Sequence, residues 1–157
     1  MDSLNFIHEL IPGSSGRTLL LLHGTGGDEH DLIPLDPAAA LLSPRGKVML
    51  EKLVAVGYSN GANIAAAVLL LRPEVLRAAI LFRAMVPVVP ENLPDLSRTR
   101  LWIGGGKQDA IIAPDETRRL IDLLREAGAE VTTYVAEAGH GLTSADLVMA
   151  KRWLATQ

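Results

Sequence analysis

The composition is that of an ordinary globular chain and excludes several classes of protein. The 157 residues are 48% hydrophobic and 21% charged, enough to bury the core of one domain spanning residues 1–157. Lysine and arginine number 15 against 18 acids, giving a net charge of −3 without any basic run, so neither nucleic acid nor an anionic membrane is an expected partner. Cysteine is absent, which excludes disulfides, thiolate chemistry and cysteine metal sites. There is no signal-peptide pattern, and no apolar run approaches the roughly 20 residues of a membrane helix, so a cytoplasmic protein is expected.

Short apolar runs alternate with helical patterns along the chain. This alternation predicts βαβ units, and therefore a mostly parallel sheet with helices on both faces. The apolar runs predict strands at residues 4–10, 18–22, 53–56, 78–82, 101–103 and 131–135. Helices are predicted at residues 62–71, from Pro114 to a cap at Gly128, and at residues 144–154. The glycines at 104–106 are predicted to form a turn.

One connection is too short for this pattern. Residues 38–42 resemble a short strand and residue 53 begins the next, so only residues 43–52 join them. Parallel neighbours need a crossover of about a dozen residues or more, usually a helix. Three explanations stay open: a helix is missing, residues 38–42 lie outside the sheet, or the connection is made between chains. A continuous chain would leave one face of strand 53–56 bare. This predicts either a homodimer, whose chains could exchange residues 47–52, or a longer chain whose missing helix covers that face.

The segment Gly57-Tyr58-Ser59-Asn60-Gly61 fits the pattern G-x-S-x-G between a predicted strand and a predicted helix. In that context the pattern predicts a nucleophile elbow, a sharp turn that lifts the serine hydroxyl clear of the backbone. The helix N-terminus also favours developing negative charge. The alternative is a glycine-rich turn with an incidental serine, and the flanking strand and helix favour the nucleophile.

A serine nucleophile needs a base and an acid that orients the base. In this type of site the chain order is serine, acid, histidine, and His140 is the only one of the four histidines that follows Ser59. Among the aspartates between them, Asp115 and Asp122 belong to a predicted helix and Asp95 to a proline-rich loop. Asp109 follows the strand at 101–103 and is therefore the predicted acid.

An oxyanion hole needs two preorganised N–H donors. One is expected from Asn60, the residue after the nucleophile, and the other from the glycine-rich loop after strand 18–22, where Thr25 is the candidate. The alternative for this loop is a phosphate site. That alternative is disfavoured because neither a Lys-Ser/Thr pair nor G-x-G-x-x-G is present. No zinc motif is found, so no metal is expected.

Six segments of the chain together resemble a known family. They are LLLLHGTGGDEHDL, SPRGKV, GYSNGANIAA, AMVP, GGKQDAIIAPDE and EAGHGLT. Their joint pattern resembles the phospholipase/carboxylesterase family, the acyl-protein-thioesterase-like branch of the α/β hydrolases, and within it the bacterial carboxylesterases of the hydroquinone-resistance type. The resemblance implies an α/β-hydrolase fold and a cofactor-free esterase or thioesterase for small acyl esters. It implies a triad of Ser59, Asp109 and His140. It also implies an oxyanion hole formed by Thr25 and Asn60, and an acyl pocket lined by Met85, Val86 and Pro87.

The chain departs from this family where the connection is short. Family members usually carry a loop and a helix between the SPRG segment and the nucleophile strand, and residues 47–52 stand in their place, so the fold is shortened there. Three function classes follow from the sequence. The favoured one is a serine hydrolase forming an acyl-enzyme on Ser59, and the others are a non-catalytic ligand-binding module and an acyltransferase. An intact triad favours the hydrolase, because a pure binding module has no use for one.

Overall fold

The computed structural model describes residue 14 and residues 18–22, 40–41 and 53–157. The strands in these ranges are β1 (Thr18–Leu22), β2 (Ala40–Leu41), β3 (Leu53–Tyr58), β4 (Ala78–Phe82), β5 (Arg100–Gly106) and β6 (Glu130–Ala136). The helices are α1 (Asn60–Leu71), α2 (Pro114–Glu126) and α3 (Ser144–Leu154). The strand predicted at residues 4–10 and the connection at 43–52 lie outside the described residues.

The strands form one parallel sheet, as the alternating pattern predicted. Their order is β2-β1-β3-β4-β5-β6, and each neighbouring pair is parallel. The carboxyl ends of parallel strands lie at the same edge of a sheet, and in the register Tyr58 pairs with Phe82 and Phe82 with Gly104. The segments that follow β3, β4, β5 and β6 therefore start from one edge, where ligands bind in open α/β sheets.

Helices cover both faces of the sheet, which explains why the central strands β3 and β4 are apolar along almost their whole length. On one face Leu53 and Ala55 of β3 pack in a core with residues of α1 and α2. On the other face Val54 and Val56 pack in a second core with Ala150 of α3. None of the helices that the structure describes is long and apolar enough to cross a lipid bilayer.

This packing corrects two expectations about the short connection. Ala40 and Leu41 pair with β1 on the side away from β3, so the explanation that places these residues outside the sheet is wrong. The bare face predicted for β3 is also absent, since Val54 is 4% exposed and Val56 is fully buried within a single chain. The expected homodimer is therefore no longer needed to cover a bare face of β3, and it stays an untested prediction.

The glycines at 104–106 are also corrected: they are the last three residues of β5 rather than a turn. At two of the three positions an added methyl group would meet a neighbour too closely. A Cβ on Gly104 would lie 2.6 Å from the Trp102 ring, and one on Gly106 would lie 2.4 Å from the carbonyl oxygen of Gly139. Glycine in a strand often marks such a close approach, and the sequence signal is the same as that of a turn.

The helix ends follow from local sequence. At the end of α2 Gly128 has φ 96°, its N–H donates to the Arg125 carbonyl, and the Ala129 N–H donates to the Leu124 carbonyl. This is the Schellman arrangement that the predicted glycine cap implies. The start of α3 is closed by a capping box, in which the Thr143 hydroxyl accepts the Asp146 N–H and the Asp146 carboxylate accepts the Thr143 N–H.

Candidate active site

Ser59 lies at a strained turn between a strand and a helix. It separates β3, which ends at Tyr58, from α1, which begins at Asn60, and its φ of 54° and ψ of −116° are unusual for a residue with a side chain. Its N–H donates to the Phe82 carbonyl at 2.9 Å, which ties the turn to β4. A Cβ on Gly57 would lie 2.5 Å from the backbone nitrogen of Ala62, so this approach of helix to strand requires glycine.

A continuous line of hydrogen bonds joins the three residues predicted to act together. The Oγ of Ser59 lies 2.9 Å from Nε2 of His140, and Nδ1 of His140 lies 2.8 Å from Oδ2 of Asp109. His140 lies in the loop between β6 and α3, and Asp109 lies in the loop after β5. The structure therefore brings Ser59, His140 and Asp109 into one chain of contacts, although Ser59 and His140 are 81 residues apart in sequence.

The surroundings of Asp109 keep it ionised. Burial raises its pKa, but the N–H groups of Ile112 and Ile111 and the His140 imidazole outweigh burial, so the pKa of this carboxyl lies below its usual value. Both N–H groups donate to Oδ1 at 2.9 Å, which leaves Oδ2 for the imidazole. Because a carboxylate only accepts hydrogen bonds, Nδ1 carries the proton and Nε2 is free to accept the Ser59 hydroxyl.

The predicted oxyanion donors are only partly described. Asn60 is the first residue of α1, where backbone N–H groups have no partner within the helix, and the Ser59 side chain makes no capping bond there. Its N–H thus belongs to a helix N-terminus beside the Ser59 hydroxyl. Thr25, the second predicted donor, lies outside the described residues.

The predicted pocket residues follow β4 at the same edge of the sheet. The Met85 N–H donates to the side-chain oxygen of Asn63 at 3.0 Å, which places Met85 beside the first turn of α1. The Met85 side chain is 38% exposed, and Val86 packs at the border of the α1–α2 core. Pro87 is exposed. Across the ranges that the structure describes, no group of three or more His, Cys, Asp or Glu side chains could hold a metal ion.

Sequence reasoning missed two side chains that contact the His140 loop. The Tyr58 hydroxyl donates to the His140 carbonyl at 3.3 Å, and the two rings lie 5.5 Å apart between centroids. Arg83, fully buried after β4, donates to the carbonyls of Gly139 and Gly141. The available signal was an arginine directly after an apolar strand.

The parallel sheet, its two helical faces and the strained serine after β3 define an α/β-hydrolase fold. Comparison with known proteins agrees. Residues 29–148 match the dienelactone hydrolase family, and the chain belongs to that family. A curated relative is MhqD of Bacillus subtilis (strain 168), provisionally named a hydrolase, which is 35% identical over 90% of this chain and 94% of its own length.

Solved structures give the same result. The Bacillus cereus carboxylesterase has a TM-score of 0.86 at 32% identity, covering 94% of this chain and 92% of its own. A carboxylesterase from Mesorhizobium loti has a TM-score of 0.80 at 28% identity, covering 92% of this chain and 91% of its own. The resemblance drawn from the sequence motifs to bacterial carboxylesterases of the α/β-hydrolase fold is thus confirmed.

The comparison also bears on the short connection. The alignment with MhqD spans 187 positions, 30 more than the 157 residues of this chain. The relative therefore contains residues that have no counterpart here. This agrees with the expectation that the chain is shortened relative to its family.

Proposed function

We propose that this protein is a serine hydrolase that cleaves small carboxylic esters or thioesters through an acyl-enzyme on Ser59. The observation that carries the proposal is the unbroken contact line from the Ser59 hydroxyl through His140 to the ionised Asp109. A serine hydroxyl is a weak nucleophile by itself, and a neighbouring base oriented by a third group is what activates it. Membership of a hydrolase family and similarity to two carboxylesterases support ester hydrolysis.

In the proposed reaction the Ser59 Oγ attacks the acyl carbonyl carbon while Nε2 of His140 takes the hydroxyl proton. The tetrahedral intermediate collapses by breaking the bond to the leaving alcohol or thiol, which receives that proton from His140. A water molecule then attacks the acyl-enzyme and its proton passes to Nε2. The bond between the acyl carbon and Oγ breaks, Nε2 returns the proton to Oγ, and the acid is released from the regenerated serine. Asp109 stays ionised throughout, holding the imidazole tautomer and stabilising the imidazolium.

The negative oxygen of the intermediate would be held by backbone N–H groups. We assign one donor to Asn60, at the N-terminus of α1, and retain Thr25 as the second. Such donors stabilise charge that develops only in the transition state, and removing one typically lowers kcat by about 10²–10³-fold. Met85, Val86 and Pro87, which follow β4 at the same edge, are proposed to contact the acyl group.

Intact mass after treatment with a fluorophosphonate probe tests the proposal. The wild-type protein should gain one probe adduct, and Ser59→Ala should gain none and lose turnover of a chromogenic short-chain ester. Ser97→Ala is the matched control because Ser97 is exposed near the opposite edge of the sheet, before β5. If Ser59→Ala keeps wild-type turnover, the proposal is wrong. Matched oxygen esters and thioesters of one acyl group then define the preferred leaving group.

A further inference from the structure

Arg83 is the only arginine in the described part of the chain whose side chain is fully buried. Its backbone has φ 52°, a left-handed conformation that a residue with a side chain rarely adopts. Burying a charge is unfavourable unless it is paired and hydrogen-bonded. The surrounding structure must therefore supply partners for this group.

Those partners are a carboxylate and three backbone carbonyls. Nη1 and Nη2 donate to Oδ1 and Oδ2 of Asp146 at 3.1 Å and 2.8 Å, a two-pronged ion pair in which both side chains are fully buried. Nη1 also donates to the Gly104 carbonyl at 3.3 Å, at the end of β5. Nε donates to the Gly139 carbonyl at 3.1 Å, and Nη2 to the Gly141 carbonyl at 3.0 Å.

The last two contacts lie on either side of His140. The His140 carbonyl itself accepts the Tyr58 hydroxyl, so three consecutive carbonyls of the loop are each held by a side chain. Glycine on both sides of His140 gives this backbone more freedom than any other residue would. Without these anchors, the loop that carries the imidazole would have many accessible conformations.

The same guanidinium links the loop to the elements that hold the other site residues. Asp146 caps the N-terminus of α3 through Thr143, immediately after the loop. The Gly104 carbonyl, which also accepts the Arg83 N–H, belongs to β5, the strand that leads to Asp109. The Ser59 N–H bonds to Phe82, the residue before Arg83. Arg83 thus connects the backbone segments of the proposed nucleophile, base and acid.

We propose that Arg83 is a positioning residue that holds the His140 loop so that the imidazole lies between Ser59 and Asp109. This inference rests on the proposed function, and in it Arg83 contacts neither substrate nor any reacting atom. Lysine cannot replace it, because one ammonium nitrogen cannot reach both loop carbonyls and both carboxylate oxygens in the geometry of the guanidinium fork. Misplacing a reacting group by about 1 Å can lower the rate by about 10²-fold.

The first test compares Arg83→Lys with a core variant that is destabilised elsewhere. We expect Arg83→Lys to lower kcat for a short-chain ester by about 10²-fold with KM within about twofold of the wild type. Leu120→Ala removes a fully buried side chain of α2 and should lower thermal stability while leaving kcat within about twofold. Arg100→Lys controls for arginine chemistry at an exposed pair with Glu130. Equal kcat values for Arg83→Lys and the wild type would overturn the inference, as would an equal loss in Leu120→Ala.

A second variant covers the case in which Arg83→Lys does not fold. Arg83→Met with Asp146→Asn removes both charges of the buried pair, so no charge is left unpaired, and it keeps a side-chain oxygen at residue 146 to accept the Thr143 N–H that caps α3. This double variant should fold, with kcat lowered as much as expected for Arg83→Lys, since the carbonyls of Gly139 and Gly141 lose their donor. A folded double variant with wild-type kcat overturns the inference.

A spectroscopic measurement separates this inference from the proposed function. The Nδ1–H proton of His140, identified by its loss in His140→Gln, should give a protected downfield NMR resonance in the wild type because Asp109 accepts it. In Arg83→Lys the resonance should broaden or disappear, and in Leu120→Ala it should persist. An unchanged resonance in Arg83→Lys overturns the positioning role even if Ser59 proves catalytic. If Ser59→Ala keeps turnover, the proposed function fails, and the resonance alone decides whether Arg83 positions His140.

Discussion

Substitution of Asp109 separates the proposed orientation of His140 from the backbone contacts that the same carboxylate makes. Its Oδ2 faces Nδ1 of His140, and its Oδ1 accepts the backbone N–H groups of Ile111 and Ile112. Asp109→Asn retains an oxygen for the two N–H groups but turns an amide towards the imidazole. Asp109→Ala removes all three contacts. The two variants should therefore differ in stability while sharing a loss of activity.

The magnitudes follow from these contacts. In Asp109→Asn the amide donates to Nδ1, which places the imidazole proton on Nε2, where it cannot take the Ser59 proton. This tautomer change should lower kcat by about 10⁴-fold, which is about 5 kcal/mol in the activation barrier. Asp109→Ala should lose as much activity and also leave the buried N–H of Ile112 without an acceptor. That loss should reduce the free energy of unfolding by about 1–3 kcal/mol and the Tm by about 2–12 °C.

Two measurements on the same preparations test the expected effects of the two Asp109 variants on activity and on stability. Turnover of a chromogenic short-chain ester gives kcat, and thermal unfolding followed by far-UV circular dichroism gives the stability. The expected pattern is a shared loss of activity, with Asp109→Asn unfolding close to the wild type and Asp109→Ala unfolding earlier. An Asp109→Asn variant that retains more than about a tenth of wild-type kcat would refute the proposed role of Asp109. Equal destabilisation of both variants would refute the assigned backbone contacts.

Three further outcomes are expected. The pKa of Asp109 is lower in the folded state than its ordinary value of 3.8, so its contribution to stability is complete above pH 3.8 and is lost as the pH falls through the folded-state pKa. The difference in stability between the wild type and Asp109→Ala, measured by urea unfolding, should therefore shrink on acidification. A difference that grows on acidification would contradict the assignment. Gly57→Ala should destabilise the fold by about 3 kcal/mol, since its methyl group would meet the backbone of Ala62 at 2.5 Å. Gly141→Ala, whose methyl group would meet nothing within 4 Å, is the control in the same unfolding measurement. Equal stability of the two variants would refute the close approach at Gly57. Dialysis against EDTA should leave ester turnover unchanged, because the proposed mechanism uses only side chains and backbone N–H groups; activity lost on dialysis and restored by a divalent ion would count against this site.

The local sequence was sufficient to predict most secondary structure. The strand Ala78–Phe82 and the helix Ser144–Leu154 have the predicted bounds, and α2 starts at the predicted Pro114. These elements are determined by short-range properties: apolar runs, a proline at the first helical turn and a glycine where φ is positive. The bounds of β3 and β5 were underestimated, because glycine is depleted in strands, whereas here it allows another segment to pack closely against the strand.

The sequence by itself also determined which residues were candidates for the site, since the order serine, acid, histidine left one histidine and favoured Asp109. Only the tertiary structure decided how they meet and what holds them. Ser59, Asp109 and His140 follow different strands, and their distances depend on the parallel register that brings those strand ends to one edge. The position of Arg83 directly after an apolar strand did not predict its contacts, because most of its partners are backbone carbonyls up to 58 residues away, and carbonyls are present at every position of a sequence. A buried charge is explained by the groups that surround it, and those groups are assembled only when the chain folds.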